Sequence, residues 1–353
     1  MENQENIPTV IQIIVPVYNV EKYLDEFFQC VFNQTIQNFR LIIVDDASTD
    51  NSFGILQKYK EILQDRMILI HNDKNLGLSG TRNVGLDEAE KHPVKYISFL
   101  DPDDIFEEDY LKDLFENAEK YQAGLTISGV QRFEDETNNI ICTEMVSYPD
   151  TVITDLFNCD IFAYINPCAY SKLYLYENIK HIRFRSIKRS EDTCYLFEIL
   201  PLLKKAKFTN NAYYHYRIRK TSLSGAINEE KYASMHTHFA DMMQLFEKEP
   251  YNKYRELFET QVFIRSSIGG VCRYAFNDLH KAGDLCKREL IYLDKFIPNW
   301  RKNKYLTFNQ KMNKGMKPLA LRLCAIMYKL HIFPVFVRFY YFMSQVLKKD
   351  IRA

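Results

Sequence analysis

The stretch 11-IQIIVPVYN-19, together with 41-LIIVDDAS-48, decides the fold class of this chain. Each begins with a run of β-branched and other apolar residues, which is typical of a strand buried on both faces of a sheet. Asn19 is the expected N-cap of an intervening helix. One face of that helix is apolar and is formed by Leu24, Phe27, Phe28, Val31 and Phe32. A strand, a helix and a strand in this order predict two parallel strands joined by a covering helix.

The same alternation continues to about residue 130. Residues 67–70 and 96–100 have strand patterns, and a helical pattern begins at Tyr110. We therefore expect an α/β fold with a mainly parallel sheet flanked by helices. From about Glu229 onward the pattern becomes helical and polar. The sequence predicts an N-terminal domain of residues 8–225 and a mostly helical C-terminal region of residues 226–353.

Acidic residues follow two of the predicted strands. Asp45 and Asp46 come directly after one strand, and the turn 101-DPDD-104 comes after another. Ligands of parallel sheets bind outside the carboxyl ends of the strands. Crowded carboxylates do not all ionise without a cation, and hard oxygen ligands suit Mg²⁺ or Mn²⁺. The acidic turn therefore points to a metal at this edge, whereas Asp45 and Asp46 could accept hydrogen bonds from a base imide or a ribose hydroxyl. Alternatively, Asp46 with Ser48, and the acidic turn, could cap the helices that follow them.

Two further segments carry candidate site residues. In 77-GLSGTRNVG-85, glycines permit close approach of the backbone to a ligand, and Arg82 could bind a diphosphate. The alternative is a plain loop ahead of a helix. In 190-SED-192, Glu191 or Asp192 could act as a general base, or could simply compensate the dipole of the helix that follows. No G-x-G-x-x-G and no P-loop motif is present, which disfavours dinucleotide-binding and P-loop domains.

Charge is distributed unevenly along a chain whose formal net charge is zero. Between Trp300 and Ala353 lie 12 of the 46 basic residues and one of the 46 acidic residues, so the remainder carries a charge of about −11. The tail is also rich in aromatic residues. It could lie on a membrane surface, or it could be a helical subdomain whose apolar face packs on the protein. No uncharged run reaches the ~18–20 residues that span a bilayer.

Cysteine usage and the amino-terminal residues bear on location. Eight scattered cysteines without a C-x-x-C pair indicate buried thiols in a reducing compartment. Residues 1–8 are polar and do not resemble a cleavable signal. We therefore expect a cytoplasmic protein, peripheral on the inner face of the membrane if the tail binds lipid.

The motifs taken in order resemble glycosyltransferase family 2 with its GT-A nucleotide-sugar-binding fold. They are I-I-V-P-V-Y-N, V-D-D-A-S-T-D, N-L-G-L-S-G-T-R-N-V-G and F-L-D-P-D-D, and they cover residues 10–130. The resemblance continues more thinly through residues 171–174, 190–192 and 213–224. One departure is Gly80-Thr81, where small Ala or Ser residues commonly precede the Arg-Asn pair.

The resemblance implies roles for individual residues. Those implied to bind the nucleotide are Pro16, Tyr18, Asp45, Asp46, Arg82 and Asp101. Asp103 would be the main ligand of Mn²⁺ or Mg²⁺, with Asp101 and His215 as further candidates. Asp192 matches the base of an inverting enzyme, with Glu191 as the second choice.

The implied activity is a metal-dependent hexosyl- or N-acetylhexosaminyltransferase of bacterial surface glycan synthesis, such as that of capsule or lipopolysaccharide. It would use a UDP-sugar and a saccharide or lipid-linked saccharide acceptor, and no nucleic acid. Two rival functions remain open. A sugar-phosphate nucleotidyltransferase also uses acidic metal sites, although the glycine-rich basic loop of that class is missing here. A non-catalytic glycan-assembly subunit could retain the same fold.

Overall fold

The computed structural model describes residues 9–146, 148, 151–219, 227–308 and 316–346. The chain divides into two compact units. The first unit comprises residues 1–156, 166–186 and 198–219, and the second unit comprises residues 157–165, 187–197 and 220–353. The domain limit predicted at residues 225/226 lies outside the described residues and stays a prediction.

A mixed sheet forms the centre of the first unit. Its strands are β1 (Ile11–Val17), β2 (Phe39–Asp45), β3 (Met67–His71), β4 (Tyr96–Phe99), β5 (Ile105–Phe106), β6 (Leu125–Glu134), β7 (Ile140–Glu144), β8 (Val152–Ile153), β9 (Lys172–Leu175) and β10 (Ala206–Ile218). The main order is β3-β2-β1-β4-β9-β6-β10-β5. Strands β3, β2, β1 and β4 are parallel, as the sequence predicts, and β9 then runs antiparallel to both β4 and β6.

Strands β1 and β4 are buried on both faces because helices cover them, whereas the edge strand β3 is largely half-buried. All seven residues of β1 are buried, which explains its continuous apolar sequence. The helices of this unit are α1 (Leu24–Phe32), α2 (Ser52–Leu63), α3 (Gly77–Lys91), α4 (Tyr110–Tyr121) and α6 (Tyr176–Ile179). Helix α1 buries Leu24, Phe27, Phe28 and Val31, as its periodicity predicts, but Phe32 of the same predicted face is 36% exposed.

Two local predictions are wrong. Asn19 does not cap α1, whose N-cap is Tyr23. Asn19 has a positive φ of 52°, and its side-chain oxygen accepts a 2.8 Å hydrogen bond from Thr49 N, so it joins two loops. The glycine-rich segment is not a loop ahead of a helix, because α3 begins at Gly77 and contains it. Gly85 packs against β1: a Cβ atom there would lie 2.4 Å from Ile14 Cγ2.

The second unit is mostly helical, as expected. It contains α5 (Ile161–Tyr164), the start of α7 (Glu191–Ile199), α8 (Glu229–Leu245), α9 (Arg255–Val262), α10 (Val271–Ala275), α11 (Ala282–Phe296), α12 (Met316–Lys329) and α13 (Phe333–Val346), with a π-helical stretch at Phe263–Gly270. Aromatic rings fill its core, including Phe246 stacked on Phe258 at 4.7 Å and Phe263 on Trp300 at 5.8 Å. Within the described ranges, every helix is too short or too polar to cross a bilayer.

Candidate functional site

Asp45 ends β2 with a fully buried carboxylate. Its Oδ2 accepts a 3.2 Å hydrogen bond from Ser48 N and lies 2.8 Å from His71 Nδ1 at the end of β3. Its Oδ1 is buried and has no hydrogen-bond partner among the described residues. Because a buried oxygen without a donor is costly, Asp45 Oδ1 is suited to accept a hydrogen bond from a ligand.

Asp46 binds the start of α3. Its Oδ1 accepts hydrogen bonds from Leu76 N at 2.8 Å and Asn72 Nδ2 at 2.9 Å, and its Oδ2 accepts one from Gly77 N at 2.9 Å. The carboxylate therefore satisfies free amide groups at a helix N-terminus. It caps α3 and not α2, the helix that follows it in sequence, and so holds the residues before Arg82 against the end of β2. Its role in nucleotide binding stays a prediction.

Pro16 and Tyr18 lie at the end of β1, beside Asp45. Pro16 is buried in the sheet opposite Val44, and Val17 is opposite Asp45. Tyr18 is 47% exposed, directly after the strand. An exposed aromatic ring next to an unpartnered acceptor can stack on a planar ring whose edge donates a hydrogen bond.

Arg82 connects α3 to the acidic turn. Its side chain is 99% buried, and its Nη2 lies 3.1 Å from Asp101 Oδ1. Asp101 follows β4, and Leu100 N donates to Ile14 O of β1 at 3.2 Å. Arg82 and Asp101 are therefore at the same edge of the sheet as Asp45. The guanidinium also contacts the Phe184 ring, 5.2 Å from its centroid.

Tyr214 of β10 holds the acidic turn through two hydrogen bonds. Asp101 N donates to Tyr214 Oη at 3.2 Å, and the Tyr214 hydroxyl donates to Asp104 Oδ2 at 2.7 Å. Arg217 N donates to Asp104 Oδ1 at 2.8 Å. Burial, reinforced by the charges of Asp103 and Asp101, raises the pKa of Asp104 well above its ordinary value. The Asp104 side chain therefore stabilises the conformation of the turn.

Asp103 is paired with Arg219. Asp103 Oδ2 lies 2.7 Å from Arg219 Nη2, and both side chains remain partly exposed. Burial raises the pKa of Asp103, against the lowering effect of the Arg219 charge. A carboxylate in this position gains from a second cation that binds beside it.

Arg217 holds the backbone of the same turn. Its Nε donates to Asp103 O at 2.7 Å, and its Nη1 lies 2.9 Å from Asp135 Oδ1. Its Nη2 is paired with Glu26 of α1. The side chain is 6% exposed, so the network is largely shielded from solvent. The acidic turn is therefore held in one conformation by a strand that follows it by more than 100 residues.

The residues of the turn can be tested for a divalent metal. Among the described residues, no group of three or more His, Cys, Asp or Glu is arranged to hold such an ion. Asp101 and Asp103 nevertheless supply two hard carboxylates, and Mg²⁺ and Mn²⁺ commonly take one or two carboxylates and complete their coordination with substrate phosphates and water. The donor set fits a cation that binds together with a diphosphate.

His215 lies on β10, and its Nε2 is 3.2 Å from Glu107 Oε1. Glu107 Oε2 also accepts from Tyr213 N at 3.1 Å. The Glu107 carboxylate is therefore the observed partner of the His215 ring. The role of His215 as a metal ligand stays a prediction.

Glu191 and Asp192 lie in the first turn of α7, in the second unit. Both are partly exposed. Ser190, immediately before them, has a positive φ of 65°, and Thr193 N donates to Ser190 O at 3.1 Å. Acidic side chains at a helix N-terminus are stabilised in the ionised form by the helix dipole. The assignment of either residue as the base stays a prediction.

The first unit thus brings the predicted residues Asp45, Arg82, Asp101 and Asp103 to one edge of the sheet. Four residues that complete this edge have no role predicted from the sequence: His71, Tyr214, Arg217 and Arg219. Arg217 lies near the end of β10, and Arg219 follows that strand directly. Their partners in the acidic turn are more than 100 residues away, so sequence spacing gives no signal for these pairs.

The chain is similar to known glycosyltransferases in both sequence and structure. The family described as Glycosyl transferase family 2 matches residues 12–180. Glycosyltransferase GlyA of Streptococcus pneumoniae is 32% identical over 231 residues, which are 62% of this chain and 32% of GlyA. An uncharacterized glycosyltransferase of Haemophilus influenzae is 32% identical over 220 residues, which are 62% of this chain and 83% of that protein. This chain therefore spans about a third of GlyA and most of the Haemophilus protein.

Among solved structures, residues 1–349 of TarS from S. aureus, in complex with UDP-GlcNAc, superimpose with a TM-score of 0.68 at 19% identity. The alignment covers 96% of this chain and 91% of the TarS chain. At this identity the likeness concerns the fold. It confirms the predicted α/β class with its helical C-terminal region.

Proposed function

This chain belongs to glycosyltransferase family 2, and on that basis we propose that it moves a sugar from a UDP-sugar to a hydroxyl group of a saccharide acceptor, with inversion at the anomeric carbon. The observation that carries the proposal is the buried Asp45 Oδ1, which has no partner among the residues with a described structure and lies at the same sheet edge as the Arg82–Asp101 and Asp103–Arg219 pairs. That edge offers an acceptor for a base, a cation for phosphate and carboxylates for a metal.

The nucleotide would bind across the ends of β1 and β2. In UDP the uracil base keeps one ring N–H, at N3, which would donate to Asp45 Oδ1, while the exposed ring of Tyr18 would stack on the base. Pro16, which is buried near the end of β1, would support the base from the sheet. A UDP-sugar is also supported by TarS, which shares this fold and was crystallised with UDP-GlcNAc. Whether a hexose or an N-acetylhexosamine is transferred depends on side chains around the sugar.

The diphosphate would bind beside the guanidinium groups of Arg82 and Arg219. Arg82 and Arg219 are each paired with a carboxylate, and a dianionic ligand can share such cations through charge-assisted hydrogen bonds. Asp103, with Asp101 beside it, would hold Mg²⁺ or Mn²⁺ against the phosphates. When bound, this ion would stabilise the negative charge that develops on the departing UDP.

The transfer is proposed as a single displacement. Asp192, or Glu191 beside it, removes the proton from the acceptor hydroxyl as its oxygen attacks the anomeric carbon. The bond from that carbon to the UDP oxygen breaks on the opposite face, and UDP leaves with the bonding electrons. Both side chains are partly exposed carboxylates in the first turn of α7, and a carboxylate is a group that can act as a general base. Positioning and charge stabilisation would supply most of the rate.

The acceptor is proposed to be a saccharide of a bacterial surface glycan, free or linked to lipid, and the reaction is placed on the cytoplasmic side. The test is a panel of UDP-sugars with Mn²⁺, measured by thermal shift and by release of UDP. We expect UDP and one or two UDP-sugars to raise the Tm, and GDP-sugars to have little effect. If no UDP compound raises the Tm and none is hydrolysed, the proposal is wrong.

A further inference from the structure

Among the described residues, helix α13 packs on the rest of the second unit through the face that carries Phe333 and Val337. Phe333 and Val337 are fully buried, and Phe333 stacks on Tyr328 of α12 with ring centroids 4.3 Å apart. Farther along, Tyr341 contacts Phe276 at 5.2 Å. These contacts fix the rotation of the helix about its axis, so the composition of its opposite face is a defined surface property.

The opposite face of α13 is an apolar stripe without a described partner. Val335, Phe339, Phe342 and Val346 are exposed by 65%, 61%, 61% and 58%. Their spacing of four, three and four residues places them on one side of a helix. We call these four side chains the α13 ridge. Large apolar side chains exposed together, and not singly, mark an interaction surface.

The part of the sequence that carries the α13 ridge is basic. Between Trp300 and Ala353 the sequence has 12 Lys or Arg and a single acid. Arg338 is exposed on the ridge helix, and Lys317 is exposed on α12. Exposed cations on these two helices, together with an exposed apolar stripe, match an anionic surface.

We propose that the α13 ridge docks this protein on an anionic lipid surface, with α13 lying in the plane of the interface. The ridge would enter the boundary between headgroups and acyl chains, while the exposed Arg338 contacts lipid phosphates. Helix α13 has 14 residues and is about 21 Å long, which suits an in-plane orientation. A second copy of the chain would bring the same positive charge against this face, whereas an anionic membrane complements it.

The proposal is independent of the proposed transferase activity. It is tested by co-sedimentation of the full chain with vesicles of phosphatidylglycerol and phosphatidylcholine, and with phosphatidylcholine alone. The test variant replaces Val335, Phe339 and Phe342 with Gln. The matched control replaces three exposed aliphatic residues of the first unit, Ile62, Ile140 and Ile141, with Gln. Thermal shift with UDP reports separately whether each variant keeps the nucleotide site.

We expect the intact chain to bind the anionic vesicles, and binding to weaken with salt. The ridge variant should lose about tenfold or more of its partition, because partition scales with buried apolar area, and the control should keep it. If the ridge variant does not fold, Arg338→Glu decides, with about a tenfold loss expected. Unchanged partition in these variants, or no binding of the intact chain to anionic vesicles, overturns the proposal. So does light scattering that shows an oligomer of the intact chain and a monomer of the ridge variant.

Discussion

His71 Nδ1 lies 2.8 Å from Asp45 Oδ2, and the opposite oxygen of that carboxylate is buried with no hydrogen-bond partner in the part of the chain that the structure describes. The pairing orients the carboxylate from the neighbouring strand, because β3 and β2 are in register at these two residues. The His71 ring is supported by Phe53, with centroids 4.4 Å apart. His71 is thus a positioning residue for Asp45: one side of the carboxylate is held by protein, and the other is left for a ligand.

The first prediction concerns this pair. Asp45→Asn should weaken UDP binding by about 10- to 100-fold, because a hydrogen bond to a charged acceptor is lost or reversed. His71→Ala should weaken it by only about two- to tenfold, since the carboxylate remains but is less well oriented. Isothermal titration with UDP measures both, and His181→Ala, at an exposed position of the first unit, is the control. Equal affinity in all of these proteins would exclude Asp45 from the nucleotide site.

The second prediction concerns the metal. Asp103→Ala removes the proposed main ligand, so Mn²⁺ should no longer strengthen UDP binding in that variant. In the unsubstituted chain, EDTA should weaken UDP binding. Asp109→Ala, at an exposed acid near the turn, serves as a control for general loss of negative charge. A dissociation constant for UDP that is the same with and without EDTA in the unsubstituted chain would rule out the metal assignment.

The third prediction separates the two candidates for the base. Asp192→Asn should lower the rate of sugar transfer by about 10²-fold or more and leave the dissociation constant of UDP nearly unchanged. Glu191→Gln should reduce transfer much less if Asp192 is the base. The comparison uses transfer rates at saturating donor, with UDP titrations alongside. Full turnover in Asp192→Asn together with loss in Glu191→Gln would reverse the assignment.

The parallel half of the sheet could be predicted from sequence because its evidence is local. The continuous apolar run of β1 and the periodicity of α1 each follow from burial of that segment alone. Asn19 was wrongly predicted as a cap because its true partner, Thr49, is 30 residues away in sequence. Local side-chain chemistry allows both a cap and a loop contact, and only tertiary structure selects one.

The supports of the acidic turn could not be predicted for the same reason. Arg217 and Arg219 are more than 100 residues from Asp103. Arg217 belongs to β10, which joins the sheet between β6 and β5, and Arg219 directly follows that strand. Sequence spacing does not reveal such a register. The acids themselves were identifiable because two carboxylate clusters follow strand patterns directly. The sequence did not reveal the partners of these acids, such as Tyr214 for Asp104 and Arg219 for Asp103. These partners decide which acid stabilises the turn and which can face a ligand.

The fourth prediction tests the packing of α3 on β1. Gly85→Ala places a Cβ atom 2.4 Å from Ile14 Cγ2, so the helix or strand must shift. We expect a loss of about 1–3 kcal/mol in the free energy of unfolding, measured with denaturant. Gly283→Ala is the control, since a Cβ atom there meets nothing within 4 Å, and it should be neutral or slightly stabilising. Equal stability of the Gly85 variant and the unsubstituted chain would contradict the close packing.

The fifth prediction concerns a buried carboxylate in the core of the second unit. Glu289 of α11 is fully buried. It accepts hydrogen bonds from Ser266 Oγ at 2.6 Å and Ser267 Oγ at 2.8 Å, and it contacts Tyr232 and His236. Burial by itself would raise the pKa of Glu289, but His236, Ser266 and Tyr232 outweigh that effect and lower it. The charged form is therefore the one that this core is built to hold.

Glu289→Gln should consequently destabilise the second unit by about 2–4 kcal/mol near neutral pH. The NH₂ group of the new glutamine side chain is a donor, and it would face hydroxyl groups that already donate to this position. The pH dependence follows from the direction of the pKa shift. Since the folded-state pKa is below the ordinary 4.5, the stabilisation by Glu289 is fully present above about pH 4.5 and is lost as the pH falls through the folded-state pKa. The difference in unfolding free energy between the unsubstituted chain and the variant should therefore be constant from about pH 5 to 8 and shrink below that range. Denaturant titrations at several pH values measure it, and a difference that grows on acidification would show that Glu289 is not held as a stabilised anion.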